Sequence, residues 1–159
     1  MSVRQLVTFS VDDTLYGVDI LAVREVLRDI RCSPVPGAHD AIVGLMNLRG
    51  QVVTVLDLGR RLSAGPQRRQ CRKACVILKT DEELARLGPK KHPAEVVGSD
   101  PVGIAVDEMG EVLSIESSEL REPPATMSEE TRRLVKNVAN LESALLTELS
   151  LGRVVNLKD

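Results

Sequence analysis

Gly44-Leu45-Met46-Asn47-Leu48-Arg49-Gly50-Gln51-Val52-Val53-Thr54-Val55-Leu56-Asp57-Leu58 is the stretch on which the fold turns. Val, Thr and Leu at this density, bounded by glycine, read as a buried strand from Val52 onward. Gly44 and Gly50 are read as marking two turns on either side of Asn47-Leu48-Arg49. Arg49 sits in the turn that enters the strand. Its guanidinium is either a solvated loop charge or a rigid fork set for a carboxylate.

Upstream, Val7, Phe9 and Val11 alternate with Thr8 and Ser10, the period of a half-buried strand. Asp12-Asp13 forms a turn, and Leu15 to Val18 returns as the second arm of a hairpin. Asp19 caps a helical turn over Ile20 to Ala22; Val23 to Leu27 suits a helix by its spacing and a strand by its valines, and is read as a short helical turn entering a strand. Ser33-Pro34-Val35-Pro36-Gly37 is an extended loop, because two prolines forbid regular pairing, and Asp40 to Val43 makes one more turn. Downstream, Gly59 to Lys73 holds six basic residues and no acidic one, and reads as a solvated connector. Ala74 to Leu78 is a strand. Thr80-Asp81-Glu82-Glu83 forms a capping box for a short helix reaching Leu87 and ended by Gly88-Pro89. Val102 to Val106 and Glu111 to Ile115 are strands. Thr131 to Val138 is expected to be helix or loop, and Leu145 to Leu151 the last strand.

The two halves resemble each other. Asn47-Leu48 through Arg60 aligns without gaps on Asn140-Leu141 through Arg153, an offset of 93, with Thr54/Thr147, Leu56/Leu149, Leu58/Leu151 and Gly59/Gly152 identical. Gly17 aligns with Gly103 and Glu25-Val26-Leu27 with Glu111-Val112-Leu113, an offset of 86. Two such matches in the same order indicate two copies of one β unit. Aligning Phe9 with Ile77 gives an offset of 68, and 86 minus 68 leaves 18 extra residues in the first hairpin of copy two. With no helix long enough for βαβ crossovers, two small closed barrels are expected, with the groove between them as the binding surface.

Composition narrows the function. The chain is 43 % apolar but has no Trp, one Tyr and one Phe, so its core is built from Val, Leu, Ile and Ala. A net charge of −2 and the lack of aromatic platforms argue against nucleic acid as a partner. No apolar run approaches the roughly 18 residues of a membrane span, so direct membrane insertion is not expected. Cys32, Cys71 and Cys75 read as reduced cytosolic thiols. No catalytic residue or cofactor is assigned: His39 and His92 lie in no motif, and no phosphate loop, nucleophile elbow or carboxylate pair is found. Cys71-x3-Cys75 lacks a second ligand pair, so no metal site is expected. A small cytosolic thiol or metal-dependent enzyme using Cys71 and Cys75 is the alternative. Copy two carries Glu111 and Glu142 where copy one has Glu25 and Arg49, so the β unit does not itself require Arg49. Glu25 and Arg49 are read either as an exposed surface ion pair or as a pair at the groove that orients Arg49 toward a partner's helix.

Leu6-Val7-Thr8-Phe9, Tyr16-Gly17-Val18-Asp19-Ile20-Leu21, Val23-x-Glu25-Val26, Gly44-x2-Asn47-Leu48-Arg49-Gly50, Val55-x-Asp57-Leu58 and Val102-Gly103-Ile104-x-Val106-Asp107 together resemble the CheW family. The resemblance runs from Leu6 to about Leu157. It implies an all-β fold of two SH3-like five-stranded barrels around a shared core, with few short helices. It implies a single domain over 1–159, with subdomains of about 15–70 and 74–150 whose terminal strands are exchanged or shared. It also implies a non-enzymatic scaffold coupling chemoreceptors to a CheA-type histidine kinase in chemotaxis signalling, cytoplasmic and peripheral to receptor arrays. The implied partners are the kinase's regulatory SH3-like domain and the helical hairpin tip of the chemoreceptor. Val23, Glu25, Val26, Asn47 and Arg49 match the receptor-binding groove on the first barrel, and Gly103, Met109 and Val112 match the second barrel's side. Kinase-binding residues are not assigned. The insertion at 81–98 is not typical of the family, and a loop selecting another partner is a second reading within signalling.

Overall fold

Alternation along the first strand sorts its side chains into two different cores. In a computed structural model describing residues 2–62, 73–88 and 97–157, β1 (Val3–Val11) turns at Asp12-Asp13 into β2 (Thr14–Asp19). Both aspartates have positive φ, 50° and 66°, the twist that a two-residue hairpin needs. The Asp19 carboxylate accepts from the Leu21 amide and caps a single 3-10 turn, Ile20–Ala22, before β3 (Val23–Leu27). β4 (Ile42–Leu48) and β5 (Gln51–Asp57) follow, then α1 (Leu58–Leu62), β6 (Ala74–Leu78), α2 (Asp81–Ala85), β7 (Val102–Val106) and β8 (Glu108–Glu116). The chain closes with α3 (Glu129–Leu134), β9 (Val135–Asn140), β10 (Leu145–Leu149) and α4 (Leu151–Val155).

The strands form two five-stranded sheets, ordered β8-β1-β2-β10-β9 and β3-β6-β7-β5-β4. Replacing β1, β2, β8, β9 and β10 by β6, β7, β3, β4 and β5 turns the first order into the second. The internal repeat is therefore a structural one. Each sheet takes its first hairpin from one copy and its remaining three strands from the other. Thus β6 and β7 lie in the sheet of β3, β4 and β5, while β1 and β2 lie in that of β8, β9 and β10.

Three apolar clusters result. Leu6, Ile115, Ala139 and Leu146 fill the first barrel, while Met46, Val53, Val55, Cys75, Ile77 and Ala105 fill the second. Between the barrels, Val7, Phe9, Val11 and Val18 meet Val76, Leu78, Ile104 and Val106, with Leu58, Leu134, Leu151 and Val154 of the short helices closing the ends. β6 is buried on both faces, so its sequence is continuously apolar rather than alternating.

Several expectations are corrected. Gly44 does not mark a turn; it lies within β4. A Cβ there would stand 2.4 Å from the Ser33 carbonyl oxygen, so the glycine admits the close approach of the Ser33 bridge to Leu45. The true turn is Arg49-Gly50, with φ of 51° and 84°. Thr8 pairs with Gly17, and Ile77 pairs with Gly103. Thr8, not Phe9, is thus the counterpart of Ile77; the offset is 69, and 86 minus 69 leaves a 17-residue insertion. The one-residue slip matters because it would move Phe9 from the central core into a barrel interior. Of the stretch Thr131 to Val138, expected as helix or loop, the part up to Leu134 lies in α3 and the rest begins the strand β9, and the last strand ends at Leu149 with α4 beyond it. Most of the Gly59–Lys73 connector, with Cys71 and His92, lies outside the described residues.

Candidate functional site

A β-bulge on β3 organises the lip of the barrel formed by β3, β6, β7, β5 and β4. Val23 pairs with Leu78 and Glu25 with Ile77, so Arg24 is the extra residue between them. The bulge re-aims Arg24 and Glu25 toward the β4–β5 hairpin tip. The Arg49 Nη2 group donates to both Glu25 carboxylate oxygens, at 2.7 Å and 2.5 Å. The Arg24 Nη1 group donates to Gln51 Oε1 at 2.8 Å. Asn47 Oδ1 accepts from the Gly50 amide at 2.9 Å and fixes the turn that carries Arg49. Together these bonds tie one edge of the sheet to the hairpin at its other edge, as a sheet curled into a barrel requires.

Arg24 also binds Glu83 of α2, through Nε at 3.1 Å to both oxygens and through Nη2. Burial pushes the Glu83 carboxyl up, but Arg24 and the Thr80 amide outweigh it and hold it below its usual range. The Thr80–Glu83 capping box is present as expected. Its glutamate has this second task, which sequence spacing could not reveal across the 59 residues separating it from Arg24. Helix α2 is thereby fastened to Arg24, the residue next to Glu25.

The remaining candidate residues fall in three settings. Val26 lies on β3 and is 38 % exposed; its repeat counterpart Val112 lies on β8, the edge of the other sheet, and is 49 % exposed. Val23 and Met109 are half-buried, and both pack on the core between the barrels. Gly103, expected on the other barrel's side with Met109 and Val112, instead lies in β7, the middle strand of the same sheet as β3, β4 and β5; it is buried there, and a Cβ would stand 2.5 Å from Cys75 Sγ. Any part it plays is through packing.

A second polar network escaped the sequence reading. Arg4 on β1 donates to Glu148 on β10 through Nη1 at 2.9 Å and also through Nη2, which reaches Asp19 at 3.1 Å. Asn137 on β9 donates to Glu148 at 3.0 Å. The four groups cross neighbouring strands at the end of the first barrel's interior. Burial works to lower the Arg4 pKa, and the two carboxylates more than offset it. At the repeat-equivalent places the second barrel has Lys73 for Arg4 but Ala105, Gly44 and Val55 for Asp19, Asn137 and Glu148, so the three groups that partner the cation are not repeated.

Cys75 does not suit thiol chemistry. It is fully buried, and burial first, then the neighbouring Cys32, push its thiol up to about 12. A thiol that stays protonated near neutral pH is a poor nucleophile and metal ligand. Among the described residues no group of three His, Cys, Asp or Glu side chains could hold a metal ion. Nor is any helix among them long and apolar enough to cross a membrane.

Comparison with known proteins covers the same span. The CheW-like domain family model matches residues 5–158. The chain is 25 % identical over 151 residues to the chemotaxis protein CheW of Rhizobium meliloti (strain 1021), covering 95 % of this chain and 86 % of that protein. It is 23 % identical over 155 residues to the chemotaxis protein CheW of Treponema pallidum (strain Nichols), covering 98 % and 84 %. The crystal structure of the scaffolding protein TtCheW from Thermoanaerobacter tengcongensis superposes with a TM-score of 0.76 at 23 % identity, covering 98 % of this chain and 94 % of that one. That likeness establishes the paired SH3-like architecture.

Proposed function

The chain belongs to the CheW-like domain family, and on that premise we propose that it is a non-enzymatic adaptor coupling chemoreceptors to a CheA-type histidine kinase. It acts in the cytoplasm, beside receptor arrays. The receptor's helical hairpin tip enters the groove beside β3, where Val23 and Val26 offer apolar contact and Arg49 fixes register on a polar receptor side chain. Met109 and Val112 border the groove from the other barrel.

The observation that carries this reading is the state of Arg49. A two-residue hairpin favours Asn, Asp or Gly at this left-handed position, and a non-glycine residue there is strained by about 1–3 kcal/mol. An exposed ion pair contributes only about 0–1 kcal/mol. With 67 % of the Arg49 side chain exposed, its bond to Glu25 falls short of that strain. Folding alone therefore does not account for arginine here; a guanidinium held ready for a partner does. The test is Arg49→Glu in co-sedimentation with receptor-bearing membranes and kinase. The variant is expected to keep the parent's unfolding curve and to lose receptor binding. Undiminished co-sedimentation would reject Arg49 as a contact.

A further inference from the structure

The two barrels carry different charges at equivalent corners, and the difference is not needed by the fold. In copy one, Arg60 Nη1 donates to the Asp40 carbonyl at 3.0 Å, and the Asp57 amide donates to the Ala41 carbonyl at 2.8 Å. In copy two, Arg153 Nη1 donates to the Arg133 carbonyl at 3.2 Å, and the Ser150 amide donates to the Leu134 carbonyl at 2.8 Å. All four residue pairs keep the offset of 93. The architecture thus uses the backbone at position 133 and leaves its side chain open to choice. Where copy one has His39, Asp40 and Val43, copy two has Arg132, Arg133 and Lys136.

These three cations and Arg153 line one surface concavity of about 500 Å³ between α3, β9 and α4, with Glu122 and Glu129 also at its wall. Arg132 and Arg133 are exposed, and neither has an ion-pair partner among the described residues. Lys136 has an interaction of its own, so the uncompensated charge at this wall is that of Arg132 and Arg133, whose mutual repulsion is a cost the fold does not require, in a chain whose net charge is −2. We propose that this concavity is a docking site for an acidic protein segment, whose side-chain carboxylates are bound by the guanidinium forks of Arg132 and Arg133. Planar forks match carboxylates in pairs. Glu122 and Glu129 would oppose a continuous polyanion such as a nucleic acid, and no aromatic platform is present to stack bases. A peptide can set its carboxylates between those two residues. The site belongs to the second copy's helical corner and does not depend on the Glu25–Arg49 reading.

The test uses the full chain and fluorescently labelled oligoglutamate, with oligolysine as the control, followed by anisotropy. The parent should bind oligoglutamate, more weakly as salt rises. The double variant Arg132→Gln, Arg133→Gln should bind about tenfold more weakly or worse, the scale of a lost charge-assisted hydrogen bond. Lysine at both positions should restore part of the affinity. Arg153 is left unchanged because it holds the corner together, and thermal melts of each variant check that the fold persists. Equal binding by parent and glutamine variant, or no binding by either, would overturn the proposal. So would tighter binding, through the same two arginines, of single-stranded DNA or phosphatidylserine vesicles.

Discussion

Replacing Gly103 by alanine would place a methyl carbon 2.5 Å from Cys75 Sγ and 2.9 Å from Ile77 Cδ1 inside a fully packed barrel. The Ile77 methyl ends a side chain that can rotate, so the sulfur is the firm obstacle. Overpacking of this kind costs about 1–3 kcal/mol. The alanine itself returns about 0.4–1 kcal/mol by restricting the unfolded chain, since the position lies outside the left-handed region. The single variant should therefore lose up to about 2.5 kcal/mol. Cys75→Ala removes the obstructing atom but leaves a small void. In the double variant the new methyl group occupies the space the sulfur left, so the two losses should fall well short of additive. Urea unfolding of the four proteins in the cycle measures this directly. Additivity within about 0.5 kcal/mol would show that the sulfur is not what excludes a side chain at Gly103. The same samples separate packing from recognition: receptor binding, measured where each variant is folded, should match the parent.

Two further perturbations probe the ion pairs. Arg4→Met would strand Glu148, whose side chain is 2 % exposed, and should cost about 3–5 kcal/mol in urea unfolding. Adding Glu148→Leu should recover part of that loss, and a single-variant cost under about 1 kcal/mol would show that the network is dispensable. The second concerns acid. Glu83 has a folded pKa below its ordinary value of 4.5, so its pairing stabilises the fold above that pH and the contribution fades as pH falls through the folded value. Glu83→Gln should accordingly lower the melting temperature on the alkaline side of pH 4.5, where the charged pair is lost, and flatten its further fall on the acid side, where parent and variant converge. An unchanged acid slope would mean that the Arg24–Glu83 contact does not persist in solution.

Local rules made most of the strands legible. Period-two alternation marked β1, the Asp12-Asp13 turn marked β2 as its returning arm, dense Val, Thr and Leu marked β5, and Asp19 and Thr80 announced their caps. The internal match at Asn47–Arg60 and Asn140–Arg153 revealed a repeat, because both copies solve the same packing problem. What stayed hidden was set by pairing across the chain. Gly44 looks like a turn residue until Ser33 is seen to press against it, and Phe9 looks equivalent to Ile77 until the hairpin registers are known. The Glu25–Arg49 pair could be weighed from sequence through the asymmetry of the copies. Arg24 could not: simple alternation points it away from Glu25, and only the bulge brings both to the hairpin tip. Arg4, Asp19, Asn137 and Glu148 are scattered over the whole chain, and nothing in their local settings joins them.

The exchange of hairpins between the copies has a consequence for synthesis. The sheet of β3, β4, β5, β6 and β7 is drawn from residues 23–106, so a growing chain can complete it before β8, β9 and β10 are made. The other sheet needs β1, which precedes all of these strands, and β10, which follows them. Until Leu145–Leu149 has left the ribosome, the hairpin that emerged first must wait with β2 lacking its neighbour β10. The half-built adaptor thus holds a sticky ribbon in reserve, which a chaperone or a newly made sister chain could capture before its own last strand arrives.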